Sequence, residues 1–530
     1  MNQEYDVIIA GGGMAGLTSA ACLCRNGFRT LLCEKREKTG GLVQTFWHHG
    51  FAFDAGIRAF ENSGIIFPML KNFQIDLEFV QNPVSIGIEK EWVVINSCES
   101  LRNYAAMLTK IFPDDAPAIE KIRNEIKKVM GYMDVIYGID NPLFNGQFRD
   151  LKYLFRTLLP WMVKYQINIG KAARMNEPIQ TCLQRFTQNP ALRDMIAQHF
   201  FQDTPSFFAL SYFSLYLDYQ YPIGGTGTLS EKMTEKILAA GGEIKTETIV
   251  DQIDLKNREI KTTKGESFRY KKLIWAANQQ SLYNAIQGQQ SSVIEKQRTL
   301  VNRSKGNDSI LTLFLGTDID RDYFRSRCGA HAFYTPSKIG LSSLPAWQDV
   351  IHQDQFSINR WIQTYLECTT YEISCPALRD PTLAPEGKTG LIVSTLMDYA
   401  LVRQMLEEDR YDTFKQFCID TIIQVLNTSI FPDFREKILF SLCSTPVTIE
   451  RETGNTQGAI TGWSFTNQPI PAVSQAKRIN ESVYTPMSDI FQCGQWTFSP
   501  SGLPISILTG KLAGDAAQKA LTSIAKNSSS

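Results

Sequence analysis

Tyr5-Asp-Val-Ile-Ile-Ala-Gly-Gly-Gly-Met-Ala-Gly-Leu17 is the stretch whose reading decides the fold. An apolar run with no turn residue passes straight into glycines and then into a helix-forming segment, the signature of a buried strand turning into a helix. The spacing of Gly11, Gly13 and Gly16 fits the dinucleotide fingerprint. The first glycine takes the tight turn, the second lets backbone approach a pyrophosphate, and the third lets the helix lie close on its strand. Unpaired N–H groups and the positive end of the dipole then face the phosphates. The helix runs to about Asn26, Gly27 caps it, and a second apolar strand, Thr30-Leu-Leu-Cys-Glu34, ends in an acid. Glu34 stands where a carboxylate bonds the adenosine ribose hydroxyls, which disfavours a 2'-phosphate at that spot.

Working outward, Lys35-Arg-Glu-Lys-Thr-Gly-Gly-Leu-Val-Gln-Thr-Phe46 carries a glycine pair, Gly40 and Gly41, and Gly50-Phe-Ala-Phe-Asp-Ala-Gly56 follows. Paired glycines let more backbone N–H groups reach the same cofactor, as expected for FAD, whose flavin end is threaded away from the adenine. Here the sequence resembles the flavoprotein group that contains amine oxidases, protoporphyrinogen oxidase, phytoene desaturase, carotenoid cis-trans isomerase and retinol saturase. In Phe53-Asp-Ala-Gly-Ile-Arg-Ala-Phe60 the residues after Gly56 resemble the retinol saturase form most, with Arg58 where that form carries a histidine. Tyr221-Pro-Ile-Gly-Gly-Thr-Gly-Thr-Leu229, a helix ending at Gly241-Gly242, and a strand from Glu243 to Val250 are similar to the phytoene desaturase return to the FAD domain. Cys375-Pro-Ala-Leu-Arg-Asp-Pro-Thr-Leu-Ala-Pro-Glu-Gly387 resembles the proline-stiffened loop that separates that branch from the amine oxidases. The closing element runs from Ile490 through Gly494, Ser501, Gly502, Leu503 and Pro504 to Lys511.

That resemblance implies an α/β fold in which a Rossmann-type FAD-binding domain is interleaved with a mixed-sheet substrate domain and a helical segment. The expected boundaries are 1–80, 221–280 and 485–524 for the FAD domain, 101–220 for the helical segment, and 81–100 with 281–484 for the substrate domain. The implied cofactor contacts are Gly11, Gly13, Met14, Ala15, Gly16, Glu34, Lys35, Gly40, Gly41, Gly56, Val250, Gly494, Gly502 and Leu503. Val250 backbone is expected against the adenine. A second helix N-terminus, near Gly502, is expected to face the flavin and stabilise negative charge at N1 and O2. The implied activity is redox chemistry on carbon–carbon bonds of a lipophilic polyene or isoprenoid: desaturation, saturation or redox-linked isomerisation. An amine-oxidase-like flavin oxidase is the rival enzyme, and a non-catalytic prenyl-binding protein like the Rab GDP-dissociation inhibitors is the rival from another class.

The remaining features narrow the function classes. The chain has 530 residues with 54 basic and 54 acidic side chains, so no net field draws it to nucleic acid. Eleven cysteines without a CxxC pair suggest neither disulfides nor zinc, and a reducing cytoplasm is the expected compartment. No apolar run reaches the roughly 18 residues of a membrane span. No metal motif, nucleophile elbow or second dinucleotide fingerprint is present, so electrons are expected to pass to or from an external donor or acceptor. The histidines, His48, His49, His199, His331 and His352, read as structural or surface groups, and the fingerprinted chain names no catalytic side chain.

Helical periodicity spans Ala116 to Met133 and resumes from Phe148, where Leu151, Leu154, Phe155, Leu158 and Met162 share one face and Arg149, Lys152 and Arg156 another. Two readings fit Phe148 to Arg174: a helix lying in an anionic membrane surface with Trp161 as anchor, or a helix packed on its own domain with a solvated basic rim. Pro160 is expected to kink or end the first helix. The aromatic run Phe207 to Tyr219 suits either plain core or a wall for a flat conjugated hydrocarbon. A helix is expected from about Tyr399 to Thr428.

Overall fold

The computed structural model describes residues 3–146, 150–288 and 291–528. The strand Gln3–Ala10 sits inside a seven-stranded sheet, between Thr30–Cys33 and Ser267–Trp275, with Glu243–Lys245 beyond Thr30–Cys33. These pairings are parallel, as is that of Ile490–Gln492 with Ser267–Trp275, while Glu259–Thr262 and Val250–Asp254 extend the sheet as an antiparallel meander. A parallel sheet is covered on both faces, so its central strand is apolar throughout. Val7 and Ile9 pack on the helices Met14–Arg25, Thr228–Ala239 and Leu503–Ser528, while Tyr5, Ile8 and Ala10 face Val250, Trp275 and Trp463.

A second seven-stranded sheet has the order Ile438–Ser444, Ser309–Thr317, Thr389–Met397, Tyr371–Ser374, His331–Thr335, Val84–Ile88, Glu91–Ile95. Leu313, Leu315, Leu391 and Val393 turn to one face, against the helices Gln355–Cys368 and Tyr411–Ser429. The alternate residues Phe314 and Ile392 turn to the other and meet Phe51 and Phe53 of the hairpin Thr45–His48/Phe51–Asp54. This period-two division is what a sheet buried on both faces requires. A helical layer that includes Ser100–Ile111, Ala116–Ile136 and Ser206–Leu217 closes around Val84 and Ile88. A small sheet joins the two large ones: Tyr219–Pro222 lies between Phe60–Glu61 and Phe79–Gln81.

Three local expectations are corrected. The strand read from Glu243 to Val250 stops at Lys245 and a new one begins at Val250, because Glu247 takes a left-handed conformation (φ 50°) that no ladder accommodates. The helix read from Tyr399 to Thr428 is two, Tyr399–Glu407 and Tyr411–Ser429, with left-handed Asp409 (φ 57°) between them. Pro160 neither ends nor breaks its helix. The five preceding residues, Leu154–Leu158, wind as a π-helix, and Leu159 N–H donates to Leu154 O. Pro160 then falls in the first turn of Leu159–Ala172, where a missing N–H costs least.

Candidate functional site

The fingerprint forms an open cradle. Gly11 has φ 111° and its N–H donates to Cys33 O at 2.8 Å; a Cβ there would stand 2.7 Å from Ala276 O. A Cβ on Gly16 would overlap Gly11 O, which fixes how closely helix and turn pack. Gly13 is the opposite case, since a Cβ there would meet nothing within 4 Å. The helix Met14–Arg25 has no side-chain cap and no acid in its first turn, so its leading N–H groups are left for an external anion. Met14 and Ala15 are buried along this helix. Gly40 N–H donates to Gly12 O at 2.7 Å, welding the glycine-pair loop to the first turn; Gly41 has φ 61°, and its absent side chain leaves room beside Gly13.

Glu34 is buried at the rim of this cradle, its Oε2 accepting from Gly12 N–H at 2.7 Å and its Oε1 from Arg36 N–H at 2.9 Å. Its backbone N–H donates to Lys245 O and its carbonyl accepts from Thr248 N–H, both at 2.8 Å, bringing the segment that leads into Val250 beside it. Lys35 turns elsewhere. Its Nζ donates to Arg451 O at 2.8 Å, and burial holds its pKa down against the pull of Glu34. Open space at Gly13, a helix N-terminus without a side-chain cap and a two-oxygen acceptor fit a dinucleotide with phosphates at one place and a ribose at the other.

The C-terminal helix Leu503–Ser528 is tied to the fingerprint helix. Ser19 Oγ donates to Gly510 O at 2.7 Å, and a Cβ on Gly510 would overlap Ala15 O. Gly494 N–H donates to Thr509 Oγ1 at 2.9 Å, and Leu503 is buried. Gly56 lies tight on Leu42 O, whereas Gly502 has open space: beyond its own Pro504, the only neighbour among the described residues that a Cβ there would meet is Glu61 Oε1, at 3.7 Å. Ser501 Oγ is buried without a hydrogen-bond partner, an orphaned polar atom of the kind a bound group satisfies. The loop from Ser501 to Leu503 thus fits the ring end of a flavin dinucleotide as the cradle fits its phosphates.

Next to Gly56 lies a buried polar cluster that sequence reasoning missed. Arg58 Nη1 donates to the Asp54 and Gly56 carbonyls and its Nη2 to Ser394 Oγ. Arg379 donates to Arg58 O, Asn82 Oδ1 and Ser374 Oγ, and stacks 3.8 Å from the Tyr221 ring. The Nε of each arginine has no partner. Burial pushes the Glu372 carboxyl up, but His331, Arg58 and Arg379 together hold it below the usual carboxylate range. Burial lowers His331 more than Glu372 raises it. A neutral ring beside a carboxylate fixes the tautomer: Nε2–H donates to Glu372 Oε1 at 2.9 Å, and Nδ1 accepts from Asn82 at 3.0 Å. The contributing segments come from sequence positions 54–82, 331 and 372–394, so no local pattern announced them.

Beyond the cluster the chain builds an aromatic cavity. Phe208, Tyr212, Tyr216 and Tyr219 form an edge-to-face ladder. Tyr216, Phe333, His199, Tyr104, Phe213 and Ile86 line a cavity against it. Burial takes the His199 pKa down to about 4, so this histidine is neutral and part of an apolar wall. The run Phe207 to Tyr219 is therefore partly core and partly lining. Tyr137 is 40% exposed, yet burial raises its hydroxyl to about 12. The charges of Glu61 and Tyr165 add to that rise.

Tyr165 belongs to the amphipathic segment. Phe148 and Arg149 lie outside the described residues. From Leu151 onward, Leu154 is half-buried and Leu158 buried, but Leu151, Phe155, Leu159, Met162, Val163 and Ile167 are exposed, Phe155 at 64% and Val163 at 63%. Trp161 does not point outward: its Nε1–H donates to Val135 O at 2.7 Å. No helix among the described residues is long and apolar enough to cross a membrane, and no cluster of His, Cys, Asp and Glu among them could hold a metal ion.

Residues 9–73 match the model of the NAD(P)-binding Rossmann-like domain. An all-trans-retinol 13,14-reductase of Danio rerio is 22% identical over 535 residues, spanning 93% of this chain and 82% of that one. A chloroplastic prolycopene isomerase of Daucus carota is 23% identical over 480 residues, spanning 86% and 72%. A 4,4'-diaponeurosporene oxygenase of Staphylococcus haemolyticus is 22% identical over 537 residues, spanning 97% of each. Among solved structures, an oxidoreductase from Methanosarcina mazei superposes with TM-score 0.61 at 14% identity over 98% of this chain and 100% of that one. Cyclohexylamine oxidase from Brevibacterium oxydans gives 0.56 at 13% identity over 98% and 99%. At such identity the structures speak for the fold alone, an α/β Rossmann-type flavoprotein architecture.

Proposed function

We propose that this chain, a relative along most of its length of the retinol 13,14-reductases and prolycopene isomerases, is an FAD-dependent oxidoreductase acting on carbon–carbon bonds of a lipophilic polyene. The observation that carries the reading is the cradle itself: open space at Gly13 before the uncapped helix Met14–Arg25, with Glu34 at its rim and the C-terminal helix tied to it through Ser19 and Gly510. When bound, FAD supplies or accepts a hydride. The chain's own residues do the rest. The Gly13 cradle and the free N–H groups of Met14–Arg25 hold the pyrophosphate, Glu34 the ribose, and the Val250 segment the adenine side. Gly40, Gly41 and Gly56 give backbone approach along the molecule, and Gly494, Gly502 and Leu503 shape the ring end. The edge-to-face ladder Phe208 to Tyr219 offers apolar aromatic surface and excludes water, which suits a conjugated hydrocarbon.

Electrons enter or leave through an external partner, because the chain carries one fingerprint. Membrane approach is supported by the exposed stripe from Leu151 to Ile167 beside Lys152, Arg156 and Lys164. Whether the chemistry is saturation, desaturation or isomerisation depends on electron supply rather than on the cradle. The absorbance spectrum of the purified protein tests the reading against a non-catalytic prenyl-binding relative. A flavin band that follows the protein through gel filtration is expected, and its absence after reconstitution with FAD would refute it.

A further inference from the structure

We propose that Glu61 is the proton-transferring group of this site, exchanging a proton between its carboxyl and a carbon of the polyene held in the aromatic cavity. The inference rests on the reaction class proposed above but on different residues. Glu61 ends the two-residue strand Phe60–Glu61 and pairs with Tyr219, so the joining sheet carries it to the boundary between the two halves of the site. Its Oε1 faces Gly502, at the ring end of the flavin site, across 3.7 Å to the position a Cβ would take. Its other neighbours are aromatic: Tyr137 just past the end of Ala116–Ile136, Tyr212 from Ser206–Leu217, and Tyr219 across the strand pair each feel its charge. The remaining charged group facing it is Asp218, whose carboxylate is committed to Ser63 N–H at 3.1 Å. No lysine, arginine or histidine acts on Glu61, and no side chain among the described residues hydrogen-bonds its carboxyl.

An acid in such surroundings has no structural work to do. A carboxyl whose hydrogen bond comes from its own backbone N–H, among aromatic neighbours, costs stability, and a core position would be filled more favourably by a hydrocarbon. Burial, with a smaller push from Asp218, raises its pKa to about 7, where a carboxyl both gives and takes a proton readily. The balance holds in each direction. In saturation Glu61 gives H⁺ to one carbon of a C=C bond, the π bond breaks, and the other carbon receives the hydride that reduced flavin supplies. The carboxylate left behind regains its proton from solvent. Desaturation reverses both transfers. Isomerisation needs the proton given and taken back at one carbon, with no net electron transfer.

The test compares wild type, Glu61→Gln and Glu61→Ala holoprotein. Infrared difference spectra across pH 5–9 are expected to show a protonated-carboxyl C=O band in the wild type that disappears near neutrality and is missing from both variants. Polyene binding, read by quenching of tyrosine and tryptophan fluorescence, is expected to persist in Glu61→Gln, while turnover falls about 100-fold. Glu61→Ala turnover is expected to recover with added formic acid, which a merely structural role would not produce. In D₂O the saturated product is expected to carry a solvent deuterium on the carbon that receives the proton. Polyene binding without any such loss of turnover in Glu61→Gln, or a wild type with no titrating band near neutrality, overturns the role of Glu61. Absence of polyene binding by the wild type overturns the substrate class instead, and Glu61 with it as a donor to that substrate.

Discussion

Replacing Glu61 by Gln changes the pH dependence of stability in a way the structure makes quantitative. The carboxyl titrates at about 7 when folded against 4.5 in its ordinary state. At 1.36 kcal/mol per unit, that difference is worth about 3 kcal/mol. The folded protein holds the proton more tightly, so this contribution is fully present below pH 4.5, falls as pH rises, and is lost above about 7. His199 acts with the opposite sign. Its folded pKa is about 4 against 6.5, so its contribution is present above 6.5 and is lost as pH falls through 4, again about 3 kcal/mol in all. Between those limits the two slopes cancel in the wild type. Glu61→Gln removes one of them: unfolding by urea at several pH values should find the variant about 3 kcal/mol more stable, relative to wild type, at pH 8 than at pH 4.5. His199→Phe should show the complementary pattern. A difference between Glu61→Gln and wild type that does not change across this range would refute the desolvated carboxyl.

Three further outcomes are expected. Gly13→Val fills the open space of the cradle, so the protein should purify folded by circular dichroism but without flavin; full flavin retention would mean the cradle is misassigned. Lys152→Gln with Arg156→Gln should cost about 2 kcal/mol of binding to anionic vesicles, roughly a 30-fold loss in a sedimentation assay that high salt mimics, whereas unchanged sedimentation returns the helix to packing within the protein. Glu372→Ala strips His331 of its acceptor and removes one of the countercharges of Arg58, whose other is Asp54, so the thermal midpoint should fall by an amount equivalent to about 1.5–3 kcal/mol; an unchanged midpoint would contradict the network.

What could be read from the chain was whatever lies close together in sequence. Gly11, Gly13, Gly16 and Glu34 fall within one strand–helix–strand unit, whose spacing is fixed by a single turn and a single crossover, so the architecture followed directly. The amphipathic segment was visible by its period, but not which face it presents: Leu158 is buried while Phe155 is exposed, a choice made by the neighbouring helix Ala116–Ile136. Pro160 does not end its helix because a π turn upstream relieves the clash that a proline normally causes. Glu61 and the pair His331–Glu372 gave no usable signal. Glu61 reads as one acid after a short apolar run, and its meaning depends on Gly502 and Tyr219, which come from far along the chain. Long-range sheet pairing decides such neighbours, and a pattern with a period of two or 3.6 residues carries no information about them.

Anaerobic incubation of the flavin-loaded protein with a polyene lipid extract and an electron donor or acceptor, followed by mass spectrometry, tests the central claim most directly. The account predicts a polyene whose mass shifts by two hydrogens, or one of unchanged mass and altered retention if the reaction is isomerisation. Oxidation of amines with every polyene left untouched would contradict it.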